Sequence, residues 1–380
     1  MTENPEELIA EEFGRDTDPL EGFNDRMQKY DIDWYDRYLE KRIPKKDIAE
    51  SWVRRYEEAF EKWTDFMAQE YPGREPTLAN HHHVEAWIDK LRQRMNGDSA
   101  ATRVNRVAEV YEWMQEDNRF PHPNEYNPYE LAKKNNEGAL KSSDSREFPQ
   151  LDIGDIREKI HEIDHVGERA LTVFALKTGA RPSEVSNIRL EDVHITNADV
   201  LSHYDGSEGQ NHGPMGSHPQ LDGRPNAVFI DTKANRKKNK RKNPTVIPLD
   251  DETRRVLIDW LLIRPDNGSP WLFLTQKGKK MKPSSQQYIW VEKHWSEHKV
   301  ESDHPDADKM RSVSPHYARH WFSSWFRLQA RMPEPWVQYM RGDVQSSEVD
   351  NSRDAFHRYI HTYYEQIEDE YRENVFSLGL

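Results

Sequence analysis

The sequence contains no cysteine among its 380 residues, which excludes disulfide bonds, zinc–thiolate sites and a cysteine nucleophile. It lacks any apolar run long enough to span a bilayer, and its acidic N-terminus lacks the pattern of a secretory signal. Apolar side chains make up only 35% of the chain and charged side chains 32%. We therefore expect a polar, cytoplasmic protein that does not contact a membrane, and the length predicts two domains.

Basic residues are scarce outside one short segment. The formal net charge is −14, and acidic residues concentrate in the first 70 residues and in the C-terminal tail. The segment 233–242, in contrast, carries seven cations, which are Lys233, Arg236, Lys237, Lys238, Lys240, Arg241 and Lys242. These charges repel one another unless a polyanion neutralises them, so the segment predicts contact with a nucleic-acid backbone.

Hydrophobic spacing predicts a mainly helical fold with a small β-sheet. We interpret residues 1–45 as an acidic N-terminal extension, and apolar residues at helical spacing predict a helical domain over 46–120. The helical period is lost over 121–150, where Pro, Asn, Ser and Lys dominate, and this composition predicts a linker. A second domain then follows over 151–380.

Two β-rich segments flank the cationic segment. Ala227–Ile230 and Thr245–Pro248 favour strands, so we expect a hairpin whose connection carries the cations. An apolar stretch at 271–274 predicts a further short buried strand. Three histidines in the polar loop at 201–225 lack the spacing of metal ligands, and we expect no metal site there.

One predicted helix of the second domain carries three basic side chains on one face. Pro315 suits a first helical turn, and His316, Arg319 and His320 follow at i, i+3 and i+4. Tryptophans and phenylalanines between them supply an apolar face that would bury the helix. Such a basic face can hold an anion, although the same short pattern is also typical of a solvated helix surface.

A second arginine is predicted at a helix–helix junction. Gly179 is suited to end one helix, and Pro182 to begin the next, so that Arg181 lies at the corner between them. An arginine at such a corner either ties down backbone carbonyls or binds an anion, and the local sequence allows both.

Taken in order, four segments resemble the tyrosine recombinase family, also called the phage integrase family. They are Thr178-Gly-Ala-Arg181-Pro-Ser-Glu184, Asp231-Thr-Lys233, His316-Tyr-Ala-Arg319-His320 and Tyr359-Ile-His361. The resemblance implies a SAM-like helical core-binding domain at 46–120, followed by a tyrosine-recombinase catalytic domain. It implies a site-specific DNA recombinase or integrase of a virus or other mobile element, without a metal or other cofactor.

The resemblance also implies a role for each matching side chain. Arg181 and Arg319 would donate to the non-bridging oxygens of the scissile phosphate. Tyr359 would attack the phosphorus and form a covalent 3′-phosphotyrosine, and Lys233 would protonate the departing 5′-oxygen. Orientation of the phosphate and exchange of protons would be the roles of His316 and His320.

The sequence departs from the family pattern in two places. The family usually has Leu-Gly-His or Leu-Gly-Trp before the tyrosine, where this chain has Met-Arg-Gly-Asp343, so an acceptor replaces a donor and the role of Asp343 is open. The segment that follows is longer than usual and brings Tyr363 and Tyr364 close to Tyr359. We prefer Tyr359 as the nucleophile because Tyr-Ile-His matches the family's Tyr-x-His pattern, and we expect the other two to pack.

Double-stranded DNA with attachment-type sites is the implied partner, bound by a homotetramer. The apolar tail residues would then pack on a neighbouring protomer, and they are Ile367, Tyr371, Val375, Phe376, Leu378 and Leu380. Two alternatives stay open, namely a type IB topoisomerase and a DNA-binding regulator with a decayed site. An acidic surface around one basic patch also fits work in high salt, which suggests a haloarchaeon or its virus as the source.

Overall fold

The computed structural model describes residues 9, 12–14, 18–30, 32–46, 48, 50–141, 146–207, 210–301, 309–343 and 364–380. The chain divides into two compact units, Met1–Ser145 and Arg146–Leu380, and each has its own hydrophobic core. Among these described residues, no helix combines the length and the apolar character that crossing a membrane requires.

The first unit is a bundle of helices around buried aromatic side chains. Helices α1 to α7 span Asn24–Gln28, Trp34–Lys41, Glu50–Glu70, His81–Arg92, Gly97–Gln115, Pro128–Asn135 and Glu137–Leu140. Short 3-10 turns lie at Glu21–Phe23, Ile43–Lys46 and Pro76–Leu78. The apolar spacing of α3 and α4 directs Trp63 and Trp87 into this core, where their ring centroids lie 4.9 Å apart.

The predicted linker over 121–150 is wrong for the part that forms α6 and α7. The Asn127 side chain caps α6 by accepting from the backbone N–H groups of its second and third residues, and Pro128 occupies the first turn. Tyr129 is 1% exposed and lies 6.0 Å from Trp63 between ring centroids. These helices are too short for their few apolar residues to show a helical period.

The interpretation of 1–45 as an extension also needs correction. Asp33 caps α2, and the two tyrosines of that helix, Tyr35 and Tyr38, are buried in the core of the first unit. Burial of these aromatic side chains removes a large apolar surface from water, which stabilises the folded segment despite its acidic composition.

The second unit is mainly helical with a small sheet, which confirms the predicted fold class. Helices α8 to α16 span Ile153–Glu162, Val166–Thr178, Pro182–Asn187, Ala198–His203, Asp251–Ile263, Pro283–Gln287, Pro315–Ser324, Glu334–Arg341 and Tyr364–Asn374. π-Helical segments lie at Tyr288–His294 and Trp325–Gln329. Further 3-10 turns lie at Leu190–Asp192, Pro219–Leu221 and Ser296–His298.

The sheet consists of three antiparallel strands in the order β1-β2-β3, with β1 at Val193–His194, β2 at Ala227–Ile230 and β3 at Thr245–Pro248. The predicted hairpin of β2 and β3 is confirmed, with Val228 opposite Ile247. Every residue of these two strands is buried, which explains their continuous apolar pattern. The predicted strand at 271–274 forms only isolated bridges, because the chain turns before a ladder can extend.

The C-terminal tail packs in its own chain in this structure, and its packing on a neighbouring protomer stays a prediction. Tyr371 and Leu378 are fully buried, and the Tyr371 hydroxyl donates to the Lys177 carbonyl at 2.7 Å. The Glu252 carboxylate accepts from the Leu378 backbone N–H at 2.7 Å. The tail therefore supports the end of α9, which is the helix that leads into the candidate site.

Candidate active site

Gly179 ends α9 and sets the position of Arg181. Its φ of 60° is left-handed, and a Cβ here would lie 2.6 Å from the ring of Phe322 on α14. Two residues later, the backbone N–H of Arg181 donates to Glu184 Oε2 at 2.9 Å, and its Nη1 donates to Glu184 Oε1 at 3.1 Å. The fully buried Glu184 thus holds both the backbone and the guanidinium group of Arg181.

Arg319 reaches the same corner from α14. Its side chain is 7% exposed, and its Nη1 donates to the carbonyls of Gly179 at 3.0 Å and Arg341 at 3.1 Å. The backbone turn that places Arg181 therefore also orients Arg319.

The two guanidinium groups meet at one oxygen atom. Asp343 Oδ1 accepts from Arg181 Nη2 at 2.9 Å and from Arg319 Nη2 at 2.7 Å. Burial and the nearby charge of Arg181 lower the pKa of Arg319 to about 9. Because two guanidinium groups direct a donor at the same oxygen, the arrangement is a site for an anion.

His316 and His320 lie on the exposed side of α14, beside this anion site. Partial desolvation and the cations of Lys240 and Arg181 lower the pKa of His316, and partial desolvation and Arg311 lower that of His320. Both imidazoles are therefore neutral near pH 7, where each can accept a proton. An open groove passes these residues, lined by Arg311, His316, Arg319, His320, Arg327 and Arg341.

Most of the predicted cations of 233–242 reach the surface of the connection between β2 and β3. The exposed ones are Lys233, Lys237, Lys238, Lys240 and Lys242. The connection is anchored because the backbone N–H of Lys233 donates to the Arg241 carbonyl at 3.3 Å, and Asn187 Nδ2 donates to Asn239 Oδ1 at 2.7 Å. It is a folded loop with an exposed basic edge.

The prediction that Arg241 binds DNA needs correction. The residue is 1% exposed, its Nη1 donates to the Met340 carbonyl at 2.9 Å, and its Nη2 lies 3.4 Å from Glu184 Oε2. Arg236 is likewise engaged, because its Nη2 lies 3.2 Å from Asp192 Oδ1. Nearby carboxylates therefore neutralise two of the seven cations.

Gly342 fits against Arg241 and was not predicted to matter. It ends α15 with a left-handed φ of 62°, and a Cβ on it would lie 2.3 Å from Arg241 Cγ. The pattern Arg341-Gly342 at a helix end gives a signal for such a cap, but the sequence does not show what the glycine touches.

Lys280 is a second feature that sequence reasoning missed. Its Nζ lies 3.3 Å from the ring centre of Trp271 and donates to Asn187 Oδ1 at 2.5 Å. Partial burial and the cations of Arg189 and Lys238 lower its pKa to about 8. A lysine with such a pKa is a better proton donor than an ordinary lysine near neutral pH.

Tyr359, the preferred nucleophile, and Tyr363, which we expect to pack, both lie outside the described residues. Tyr364 is described and is 2% exposed, where it packs with Phe229 and Val246 of the hairpin. The expectation that Tyr364 packs is therefore confirmed. Among the described ranges, no group of three or more His, Asp or Glu side chains is placed to hold a metal ion.

Paired guanidinium groups, neutral imidazoles and an exposed basic edge together define a site suited to phosphoryl transfer on a polyanion. Residues 150–362 match the profile of the phage integrase family, and the chain belongs to that family. It is a site-specific DNA recombinase. A search of curated proteins found no match.

Solved structures share this fold at low sequence identity. The Tn1549 transposon integrase in complex with transposon right-end DNA matches 88% of this chain and 96% of its own, with 14% identity and a TM-score of 0.56. The match to a lambda integrase tetramer bound to a Holliday junction covers 84% of this chain and 79% of the integrase chain, with 13% identity and a TM-score of 0.56. The match to a lambda integrase dimer bound to a COC′ core site covers 83% of this chain and 96% of the integrase chain, with 14% identity and a TM-score of 0.56.

Proposed function

We propose that this chain cuts and rejoins double-stranded DNA at attachment-type sites, with Tyr359 as the nucleophile. The observation that carries the proposal is the convergence of Arg181 and Arg319 on one carboxylate oxygen. A phosphodiester repels nucleophiles through its own charge, and two guanidinium donors remove that repulsion as charge builds in the transition state.

The proposed step forms one bond and breaks one bond at phosphorus. The Tyr359 oxygen attacks, the bond from phosphorus to the 5′-oxygen breaks, and Lys233 delivers a proton to that oxygen. The phenolic proton passes to a neutral imidazole, His316 or His320. A phosphodiester persists as the 3′-phosphotyrosine, so a second 5′-hydroxyl can reseal the strand without ATP.

DNA binding would rest on charge outside the reacting atoms. The exposed lysines Lys237, Lys238, Lys240 and Lys242 would contact backbone phosphates, and the helices of the first unit would bind the same duplex. We further propose a homotetramer on DNA in the cytoplasm, encoded by a mobile element. The solved complexes of the Tn1549 and lambda integrases with DNA support these assignments by fold. Function in high salt stays a prediction.

A nicked suicide substrate tests the proposal, because the released 5′ fragment diffuses away and traps the covalent adduct. We expect wild-type protein to form the adduct, Tyr359→Phe to form none, and Tyr363→Phe to behave as wild type. Loss with Tyr363→Phe alone would move the nucleophile to that residue. Binding without an adduct in wild-type protein would contradict cleavage, and plasmid relaxation without exchange between two sites would indicate a topoisomerase.

A further inference from the structure

A carboxylate of the chain lies where the proposed function needs a phosphate. Asp343 Oδ1 takes one hydrogen bond from each of Arg181 and Arg319, and its Oδ2 lies 2.8 Å from Arg341 Nε. A carboxylate resembles a phosphodiester in its single charge and in its two oxygens, which accept from guanidinium groups with similar geometry.

We propose that Asp343 is an internal substitute for the scissile phosphate, which occupies the anion site in the DNA-free protein and is displaced when DNA binds. This inference rests on the proposed function, because it takes Arg181 and Arg319 as the phosphate-binding pair. Asp343 then sets a threshold for cleavage, since a phosphate that is poorly seated does not displace a carboxylate held by three arginines.

The charge of the cluster explains why an anion is needed when DNA is absent. Four guanidinium groups, those of Arg181, Arg241, Arg319 and Arg341, share the carboxylates of Glu184 and Asp343. The side chains of Arg241 and Arg319 are 0% and 7% exposed, so water compensates them poorly. Loss of Asp343 without a replacement would leave buried positive charges facing one another.

Of these two carboxylates, only that of Asp343 can be replaced by a phosphate. Glu184 is 0% exposed and holds the backbone N–H of Arg181 as well as two guanidinium groups. The side chains of Asp343 and Arg341 are 25% and 34% exposed. Arg341 contacts Oδ2 of Asp343, whereas Arg181 and Arg319 contact Oδ1. Asp343 can therefore move outward while it stays paired with Arg341, whereas Glu184 cannot leave without unfolding the corner.

The test measures inorganic phosphate binding by the full-length protein through its melting temperature. Phosphate is compared with chloride at equal ionic strength. We expect Asp343→Asn to melt at a lower temperature than wild type in chloride, and to bind phosphate at least tenfold more tightly, because the anion no longer competes with a carboxylate. Glu168→Gln is the matched control, because its carboxylate pairs with Lys293 and His294 in the first turn of α9, at the end opposite Gly179. It should also lose stability, but its response to phosphate should equal that of wild type, which accounts for general salt effects.

Each outcome decides the inference. An Asp343→Asn protein that folds only in phosphate would support it, and one that unfolds in both salts, or that responds to phosphate as wild type does, would overturn it. Addition of Arg181→Gln to Asp343→Asn should abolish the gain, and retention of the gain would place phosphate elsewhere. The phosphate measurement does not involve Tyr359 or DNA. If the wild-type protein forms an adduct with DNA but Asp343→Asn shows no gain in phosphate affinity, only this inference is refuted.

Discussion

Substitution of Gly342 by alanine should destabilise the second unit far more than a glycine-to-alanine change at an ordinary turn. The new Cβ would lie 2.3 Å from Cγ, 2.6 Å from Cδ and 2.7 Å from Nη1 of Arg241. Arg241 cannot move aside cheaply, because it is buried and paired with Glu184. Its side chain would have to leave the carboxylate or push α15 outward.

The expected loss has two parts. The left-handed backbone costs about 1–2 kcal/mol for a residue with a Cβ, and breaking a buried ion pair costs about 3–5 kcal/mol. We therefore expect the free energy of unfolding to fall by about 4–7 kcal/mol in Gly342→Ala. The matched control is Gly223→Ala, because Gly223 has a φ of 69° and nothing within 4 Å of its Cβ position.

Urea unfolding of the full-length variants, followed by far-UV circular dichroism, measures both losses. The control should lose only the backbone part, about 1–2 kcal/mol. Gly342→Asn separates the two parts further, because asparagine tolerates the left-handed region but still needs the space that Arg241 fills. Equal losses for Gly342→Ala and Gly223→Ala would refute the packing of Arg241 against this helix end.

Three further changes test separate parts of the structure. A substrate with a 5′-bridging sulfur has a leaving group that needs no proton. If Lys233 donates the proton, this substrate should restore cleavage by Lys233→Ala in an adduct assay and should not restore cleavage by Lys280→Ala. The opposite result would make Lys280 the donor. Burial lowers the pKa of His122 to about 4 from the usual 6.5, so the unfolded chain binds more protons between these two pKa values and stability falls as the pH is lowered. We expect a loss of about 2 kcal/mol between pH 7 and pH 5, measured by urea unfolding, that His122→Gln removes; an unchanged pH dependence in that variant would contradict the assignment. Leu378→Ala should cost about 2–5 kcal/mol in urea unfolding at every protein concentration, whereas a concentration-dependent loss would show that the tail packs between protomers.

The sequence predicted the parts of the site whose geometry is local. The spacing of His316, Arg319 and His320 on one helix face follows from the helical period, and the corner at Arg181 follows from the flanking glycine and proline. The hairpin followed from two β-branched segments on either side of the cations. In each case, neighbouring residues in the chain determine the conformation, so a short pattern is enough.

Features that depend on distant residues were missed. Seven cations within ten residues look alike in sequence, yet Arg241 is buried because a carboxylate in α10 and a carbonyl in α15 meet there. Lys280 shows no local signal, because its environment comes from Trp271 and Asn187. The replacement at Asp343 was visible, but its position between two guanidinium groups emerges only from the folded chain.

The central claim is that Arg181 and Arg319 neutralise one scissile phosphate. It is tested most directly by adduct formation on a substrate in which a neutral methylphosphonate replaces that phosphate. We expect Arg181→Ala and Arg319→Ala to lose about 100-fold or more in rate on the ordinary phosphate, and to approach the wild-type rate on the neutral group. Variants equally inactive on both substrates, or fully active on the phosphate, would contradict the account.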